Sequence, residues 1–395
     1  MDTQARHGRL RKRGAVGSIF TGVGIALAVV LVSGTSVAAY AGWQLASNLK
    51  PGVDIAPAGS TAPPAIGAID GAVNILLVGS DSGGGDTANY GKRGENLNDV
   101  TILLHISPVS HTATAVSIPR DMFVPITGCE HSPGVRKMNE ALYNGGLACA
   151  VSTVSALTGL DIAYAAQIEF NGVIAMSNAV GGVDVCVGEA IHDLQIKFDL
   201  EPGMHTLQGW DALQFLRSRH GVGDGSDITR ISNQQLFLSA LMRKVKSSDV
   251  LTNPITLYNL AQAATSNMTL STSLNHLDTM ASMAVALKDV PLSNIVFTQY
   301  PGGSGTSGGQ NGVIPRKGDA QVLMDALKND QQIVVQTLGG GAIAGGTVTE
   351  TPSPAATDSS APPTIAPDAA APVVLPSSIT GQAATEETCT NGNTF

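Results

Sequence analysis

The segment RSRHGVGDGSDITRISNQQ, residues 217–235, concentrates charge in a chain that has little of it. Arg217, Arg219 and Arg230 lie there with two acids and two glutamines, whereas only 13% of all residues are charged. On a strand, the two-residue spacing of Arg217 and Arg219 would place both guanidinium groups on one face. Guanidinium groups donate forked pairs of hydrogen bonds that match phosphate and carboxylate oxygens. The segment therefore predicts a site for an anion with several oxygen atoms.

Acidic residues lie at the ends of three predicted strands. Asp81 directly follows NILLVGS, Asp99 precedes VTILLHIS, and Arg120 with Asp121 ends TATAVSI in the string SIPRD. Loops at strand ends of α/β sheets are where ligand sites form. Two carboxylates brought together near phosphate favour a hard cation, Mg²⁺ or Mn²⁺. For each Asp taken alone, a turn residue or a helix cap is the alternative.

A helix after the arginines would add to the same site. Asp227 or Thr229 can cap this helix, and Arg230 and Gln234 fall on its core-facing side. Buried Arg and Gln need partners, and a helix N-terminus favours negative charge. Diphosphate would suit these donors together with a metal held by Asp. A purely structural salt-bridge network around Asp227 is the alternative.

Apolar runs and turn residues predict the elements that position these side chains. Strands are expected at 74–80, 100–107, 112–118, 163–170 and 183–187, and helices at about 137–158, 171–180, 229–247, 253–265, 271–288 and 318–328. The first two strands are continuously apolar, which is typical of strands buried on both faces. Strands that alternate with helices predict an α/β fold, here an α/β/α sandwich with a mixed central sheet over residues 72–335.

The two ends of the chain differ from this domain in composition. Residues 1–13 are basic, and the apolar stretch 14–46 is long enough for a transmembrane signal anchor that keeps the basic end in the cytoplasm and the rest outside. A cleaved signal peptide is the alternative, since SVAAYAG at 36–42 offers small residues for cleavage. Residues 47–71 are predicted to be a linker, and 336–395 a disordered tail rich in Ala, Thr, Pro and Ser.

Four cysteines and a net charge of −9 narrow the classes of function. Outside the cell, Cys129 and Cys149 are the expected disulfide, while Cys186 and Cys389 are either a second pair or free thiols. The sequence contains no cluster of Cys and His typical of zinc. The negative charge argues against nucleic-acid binding as a general function.

Several spaced motifs together resemble the LytR-CpsA-Psr family of cell-envelope proteins. They are NILLVGSDS, SIPRD, VRKMNEALYNGG, FNGVIAMSNAVGGVDV, and LQGWDALQFLRSRH followed by DITRISNQQLF, in order over about residues 74–245. The resemblance implies a membrane-anchored, extracytoplasmic phosphotransferase that uses Mg²⁺ or Mn²⁺. Such an enzyme moves an anionic glycopolymer or another glycan from a polyprenyl-diphosphate carrier onto peptidoglycan or a related wall acceptor.

The resemblance also implies roles for single residues. Asp81 and Asp99 match the family's metal-associated acids, and Asp227 matches an acid that orients the cluster. The residues that match the diphosphate contacts are Arg120, Arg217, Arg219, Arg230 and Gln234. Two positions depart from the family, because Leu97 and Asn233 stand where arginine is usual; Arg93 could supply a lost contact.

The catalytic base, the lipid site and the overall activity each keep alternatives. Asp121 and Asp81 are candidates for the general base by position alone. Helices at 147–158 and 171–180 are candidates to line a groove for the lipid tail, with ordinary core packing as the alternative. Two other functions stay open: a pyrophosphatase that hydrolyses the lipid diphosphate, or a non-catalytic envelope protein that binds anionic lipid or polymer and regulates assembly.

Overall fold

The structure is a computed structural model that describes residues 15–56, 72–80, 96–129, 131, 133–345 and 371–393. Asp81 and Arg93, both named above, lie outside the described residues. The chain divides into two units, Met1–Asn48 and Leu49–Phe395.

The first unit contains one long apolar helix, α1 (Ala15–Asn48). At 1.5 Å per residue such a helix extends about 50 Å, more than the roughly 30 Å hydrocarbon core of a bilayer. Its segment Phe20–Asn48 is long and apolar enough to cross a membrane, a test that a signal sequence would also pass. The helix has the form expected of a single-pass anchor, and the basic residues 1–13 lie outside the described part.

The second unit is built on a mixed sheet whose seven strands all lie in the described residues. These are β1 (Val73–Ser80), β2 (Asn98–Ser107), β3 (Thr112–Ser117), β6 (Tyr164–Ile168), β11 (Met268–Leu270), β12 (Ile295–Gln299) and β18 (Gly381–Ala383). Their order is β11-β6-β1-β2-β3-β12-β18. β1 is parallel to β6 and β3 is parallel to β12, whereas β2 is antiparallel to both its neighbours.

Alternating residues of β1 show why helices cover both faces of this sheet. Leu76 and Val78 belong to one hydrophobic core with α2 (Ala141–Thr158) and α9 (Lys317–Lys328), whereas Val73 and Ile75 belong to a second core with α5 (Asp227–Lys246) and α8 (Leu277–Asp289). The predicted α/β/α sandwich with a mixed sheet is confirmed. The largest shift in a helix boundary is at α8, which was expected to begin at residue 271.

A smaller sheet, three antiparallel strand pairs and one parallel pair also lie within the described residues. The remaining helices are α3 (Phe170–Ala179), α4 (Gly209–Arg217), α6 (Ser248–Leu251) and α7 (Pro254–Asn267), with 3₁₀ turns at Met138–Glu140 and Leu292–Asn294. The smaller sheet orders β10 (Gly203–Leu207), β7 (Val183–Val187), β19 (Thr388–Thr390) and β16 (Ala342–Ala344). The pairs are β4 (Phe123–Ile126) with β5 (Gly134–Lys137), β8 (Ile191–Asp193) with β9 (Phe198–Leu200), β13 (Gly302–Ser307) with β14 (Gln310–Pro315), and β15 (Ile333–Val334) with β17 (Val373–Val374).

The folded domain extends beyond residue 335, where the sequence placed the start of a disordered tail. Within residues 371–393, β18 pairs with β12 at the edge of the central sheet, and β19 pairs in parallel with β7. Cys389 and Cys186 face each other across that second pairing and form a disulfide. The prediction of a disordered tail is therefore wrong for residues 336–345 and 371–393. Their composition predicts disorder, but pairing with strands that are distant in sequence orders them. Residues 346–370 lie outside the described part.

The predicted disulfide between Cys129 and Cys149 is confirmed. It joins the loop after β4 to α2, which is interrupted at Gly145 and Gly146 by non-helical backbone. Gly146 has φ of 66°, a left-handed value that favours glycine over other residues.

Candidate functional site

Arg120 is the centre of a charged cluster at one end of the sheet. The N–H of Ile118 donates to the carbonyl of Thr101 (2.8 Å), which keeps the extension of β3 beside β2. Nη1 of Arg120 donates to Oδ1 of Asp99, and its Nε lies 3.2 Å from Oδ1 of Asp227. Burial alone would lower the pKa of Arg120, but the carboxylates of Asp99 and Asp227 more than offset burial and raise that pKa above its ordinary value.

Helix α5 brings a second arginine to the same carboxylates. Its cap is Ser226, whose side chain accepts a hydrogen bond from the N–H of Thr229 (3.3 Å), so the prediction that Asp227 or Thr229 caps this helix is wrong. Asp227 instead lies buried in the first turn, with Oδ1 2.7 Å from Nη2 of Arg230. Nη2 of Arg230 also donates to the backbone carbonyl of Asp99 (3.0 Å). One buried acid thus contacts two arginines.

Two buried donors of this cluster, Nε of Arg120 and Nε of Arg230, make no aligned hydrogen bond within the described residues. Asp227 forms ion pairs with both arginines, but its carboxylate oxygens are not in line with these two N–H groups. Burial lowers the pKa of Arg230; Asp227 opposes this effect, and the positive charges of Arg120 and Arg219 reinforce it. A buried polar group without a partner costs free energy. The cluster is therefore suited to receive a further anion.

Arg217 ends α4 and Arg219 lies in the loop that follows, so the two arginines do not share one face of a strand. The apolar residues between 212 and 216 repeat with helical spacing and are largely buried, which favours the helix. The guanidinium of Arg217 lies 4.7 Å from the centroid of the Phe170 ring, and its Nη1 donates to Oε1 of Gln214 (3.0 Å). Nε of Arg219 donates to the carbonyl of Gly225 (2.9 Å).

Gln234 and Asn233 of α5 fix the end of α4. Nε2 of Gln234 donates to the carbonyl of Leu216 (3.1 Å), and Nδ2 of Asn233 donates to the carbonyl of Phe215 (2.9 Å). Carbonyls in the last turn of a helix lack intrahelical donors, so these amides satisfy them. Asn233, at a position where the resemblance implies arginine, is fully buried and also accepts a hydrogen bond from Oγ1 of Thr390 (2.6 Å). Asn233 therefore stabilises the fold by joining α5 to the end of α4 and to β19.

An apolar cavity of about 240 Å³ lies beside the arginines. Its polar lining includes Asp99, Arg217, Arg230 and Gln234. Its apolar lining comes from the sheet and from α3, α4 and α5, with residues such as Val173, Met176, Leu213, Phe237 and Leu241. The expectation for helix 171–180 agrees with this lining. The expectation for helix 147–158 is wrong, because α2 packs in the other core instead.

Asp121 lies at the edge of the cluster. Its Oδ2 is 3.9 Å from Nε of Arg120, and its Oδ1 accepts a hydrogen bond from Nζ of Lys137 (3.0 Å). The Asp121 side chain is 20% exposed, so solvent or a second substrate can reach it. The N–H of Asn139 donates to the carbonyl of Arg120 (2.9 Å), which holds the VRKMNEALYNGG motif against this edge.

Asp99 is the one expected metal ligand within the described residues. Its Oδ1 accepts from Arg120, and its Oδ2 makes no hydrogen bond to another described residue, which leaves an oxygen of the kind that Mg²⁺ binds. Ser80 at the end of β1 pairs in register with Asn98, so β1 ends beside Asp99. The described residues contain no group of three His, Cys, Asp or Glu that could hold a metal. The second expected metal ligand, Asp81, lies outside the described residues.

Two residues of the cluster were not singled out from the sequence. Phe170, beneath Arg217, and Lys137, paired with Asp121, both lie in motifs that carried the resemblance. An apolar side chain gives no charge signal, and a lone lysine on a strand is usually a solvated residue. Only the strand pairing of β4 with β5, which places Phe123 opposite Lys137, brings Lys137 back toward SIPRD.

The structure is thus an α/β/α domain in which a cluster of arginines and aspartates lies beside an apolar cavity. A profile of the LytR_cpsA_psr family matches residues 46–329, and the chain belongs to this family. The chain is similar to the cell wall biosynthesis protein LcpA of Corynebacterium glutamicum, with 30% identity over 267 residues that cover 59% of this chain and 51% of LcpA.

Two further proteins are similar to this chain. The polyisoprenyl-teichoic acid–peptidoglycan teichoic acid transferase TagT of Bacillus subtilis is 31% identical over 182 residues, which cover 44% of this chain and 53% of TagT. The crystal structure of a Streptococcus agalactiae protein matches with a TM-score of 0.56 and 25% identity, covering 66% of this chain and 87% of that one. The chain spans about half the length of LcpA and TagT.

Proposed function

We propose that this protein is a phosphotransferase that moves a glycopolymer or another glycan from a polyprenyl-diphosphate carrier onto peptidoglycan or a related wall acceptor. One observation carries the proposal: the buried Nε donors of Arg120 and Arg230 make no aligned hydrogen bond within the described residues, and Arg230 also lines an apolar cavity. A lipid diphosphate combines the anionic oxygens and the apolar chain that these two features suit. The similarity to TagT, which is named as a transferase of this kind, supports the proposal.

The diphosphate fits the arginines better than a structural salt-bridge network does. Asp227 contacts both Arg120 and Arg230, but it leaves their Nε donors without aligned acceptors. Arg219 makes no ion pair with a carboxylate within the described residues, although its charge is close enough to lower the pKa of Arg230. The oxygens of a diphosphate would accept charge-assisted hydrogen bonds from these donors.

The lipid chain would occupy the apolar cavity. Apolar side chains such as Val173, Phe237 and Leu241 line it, and Arg217 and Arg230 belong to the same lining. Each buried methylene of a bound lipid contributes about 0.8 kcal/mol. Binding energy from the chain, which does not react, can thus hold the diphosphate among the arginines.

The transfer would proceed by displacement at phosphorus. A hydroxyl of the wall acceptor attacks the phosphorus nearest the glycan, the bond from that phosphorus to the bridging oxygen breaks, and lipid monophosphate leaves. Arg120, Arg219 and Arg230 would stabilise the charge that builds up on the phosphate oxygens. Asp121, at the exposed edge beside Lys137, is proposed to take the proton of the attacking hydroxyl.

Asp99, together with Asp81, is proposed to bind Mg²⁺ or Mn²⁺. A bound cation of this kind would neutralise charge on the diphosphate. Asp99 would also keep its contact with Arg120, and so hold that guanidinium in place beside the ligand.

The domain is proposed to lie outside the cell membrane, with the chain held by α1 as a single-pass anchor. The apolar segment Phe20–Asn48 supports the anchor. The two disulfides, Cys129–Cys149 and Cys186–Cys389, support an extracytoplasmic domain, because disulfides persist in oxidising compartments.

The test uses the full chain in detergent with a labelled lipid-diphosphate glycan and peptidoglycan fragments, with and without Mg²⁺. A transferase forms labelled peptidoglycan and releases lipid monophosphate only when the acceptor is present. Release without acceptor would replace the proposal with a pyrophosphatase. Tight binding of the lipid substrate without any release would indicate a non-catalytic regulator of envelope assembly.

A further inference from the structure

Asp193, at the end of β8, has a carboxylate that no step above uses. Its side chain is buried, with 1% of its surface exposed. Oδ1 accepts a hydrogen bond from the N–H of Gln195 (3.2 Å). Oδ2 accepts from four donors of one short segment, namely Oγ of Ser218 (3.0 Å) and the N–H groups of Arg219 (3.0 Å), His220 (3.1 Å) and Gly221 (3.4 Å). One carboxylate thus organises the loop that contains Arg219.

This loop has no helix or strand of its own to fix its shape. Burial would raise the pKa of Asp193, but the hydrogen bond from the N–H of Arg219, with those from Ser218 and Gly221, more than offsets burial and lowers that pKa. A Cβ on Gly221 would lie 2.7 Å from Cγ2 of Ile191 and 3.2 Å from Cβ of Asp193, so the loop packs closely on β8. The carboxylate of Asp193 therefore fixes the backbone of this loop through direct hydrogen bonds.

The two sides of the arginine segment are held by different elements. On the α4 side, Gln234 of α5 binds the carbonyl of Leu216, which fixes the helix that ends at Arg217. On the loop side, Asp193 binds the N–H of Arg219 itself. The backbone at Arg219 thus depends on β8, an element that contributes no residue to the anion cluster or to the lining of the cavity.

We propose that Asp193 is a positioning residue, which orients the backbone of Arg219 so that its guanidinium can grip the diphosphate. The inference rests on the proposed function, because it requires Arg219 to contact that anion. Asp193 touches no reacting atom and acts only through Arg219. Misplacing such a contact by about 1 Å can lower the rate by up to about a hundredfold.

The test is a double-mutant cycle on the full chain in detergent with Asp193→Asn, Arg219→Ala and the combined variant. The asparagine keeps the size of the side chain and one carbonyl acceptor but removes the charge. Turnover of a lipid-diphosphate substrate and affinity for inorganic pyrophosphate are both measured, with Tm as the check of folding. In the wild-type background, Asp193→Asn should lower kcat/KM and pyrophosphate affinity by about ten- to a hundredfold. In the Arg219→Ala background the same change should cost less than about twofold.

Asp199→Asn is the matched control. Asp199 lies on β9 of the same hairpin, has a side chain that is 67% exposed, and pairs with the ring of His192. Its carboxylate makes none of the contacts to the loop at 218–221, so this variant should keep the wild-type turnover and pyrophosphate affinity. If Asp193→Asn does not fold, Ser218→Ala removes one donor to the same carboxylate and takes its place in the cycle.

The outcomes separate this inference from the proposed function. A purely structural Asp193 would lower Tm and reduce kcat/KM by the same factor in both backgrounds, which would overturn the positioning role and leave the transferase proposal intact. An Arg219→Ala variant with unchanged turnover and unchanged pyrophosphate affinity would overturn both. An equal loss of kcat/KM and pyrophosphate affinity in the Arg219→Ala variant and in the double variant supports the positioning role.

Discussion

Replacing Arg219 with lysine is expected to impair turnover far more than folding. In the structure Nε of Arg219 donates to the carbonyl of Gly225, and the side chain makes no ion pair with a carboxylate within the described residues. Its terminal nitrogens are therefore left for a ligand. Lysine keeps the positive charge, but a single ammonium cannot make both the contact to Gly225 and a forked contact to phosphate.

The two expected losses differ in size. Removing one charged contact that strengthens in the transition state costs about 2–4 kcal/mol, which is about thirty- to a thousandfold in turnover. Removing one neutral hydrogen bond to Gly225 costs about 1 kcal/mol of stability. In a domain of this size that loss lowers Tm by about 2–4 °C at most.

Lipid monophosphate release and Tm should be measured on the same preparation of the full chain. Arg316→Lys is the control, because Arg316 is an exposed arginine just before α9, away from the cluster, and should change neither quantity. A variant of Arg219 with a lower Tm and an intact specific activity would refute the reasoning, since it would make this arginine a structural residue.

Four further predictions test other parts of the structure. Asp99→Asn should abolish Mg²⁺-dependent turnover while the domain still folds, and an unchanged response to a Mg²⁺ titration would remove Asp99 from the metal site. Val173→Trp, which fills the cavity, should raise KM for a long-chain lipid diphosphate about tenfold or more and leave pyrophosphate affinity unchanged; equal effects on both ligands would place the lipid elsewhere. Cys389→Ser should destabilise the domain by about 3–5 kcal/mol in denaturant unfolding, because the Cys186–Cys389 bridge closes a loop with a sequence separation of 203; mass mapping that found both wild-type thiols free would contradict this. The pKa of Asp330 is lowered by its contact with His105, whose Nε2 lies 3.5 Å from Oδ1 of Asp330, and by a hydrogen bond from Oγ of Ser107. The stability that Asp330 contributes is therefore present above about pH 4 and lost as pH falls through the lowered pKa, and Asp330→Asn should flatten the loss of Tm below about pH 4.

The central sheet could be predicted because its strands carry their own signal. β1 and β2 each contain a run of large apolar residues, and each faces a hydrophobic core on both sides. The C-terminal strands carry no such signal. β18 and β19 each contain three residues, mostly small or polar, and their order comes from pairing with β12 and β7 and from a disulfide to a distant cysteine. Local sequence cannot report contacts of that range.

The types of residue in the charged cluster around Arg120 could also be predicted from the sequence, but their arrangement could not. The low charge content of the chain, 13%, made Arg120, Arg230 and Asp227 stand out, and the structure brings these three together. On a strand, the two-residue spacing of Arg217 and Arg219 would place both side chains on one face. Burial of the apolar side of α4 instead stabilises a helix that ends at Arg217, and Arg219 lies in the loop that follows. Spacing alone does not show which face of a segment a neighbouring element will cover.

The surroundings of Asn233 on helix α5 suit a short amide, at a position where the resemblance implies arginine. One side of this helix contributes Arg230 and Gln234 to the cavity, while Asn233 is fully buried between the end of α4 and β19. A guanidinium buried there would need an anionic partner, and the two contacts of Asn233 are a backbone carbonyl and a hydroxyl. The hydroxyl comes from Thr390 in the ordered C-terminal segment, and the amide oxygen of Asn233 accepts its hydrogen bond. A positive charge at position 233 would therefore be buried without a partner, and the proposed contacts to diphosphate come from Arg120, Arg217, Arg219 and Arg230.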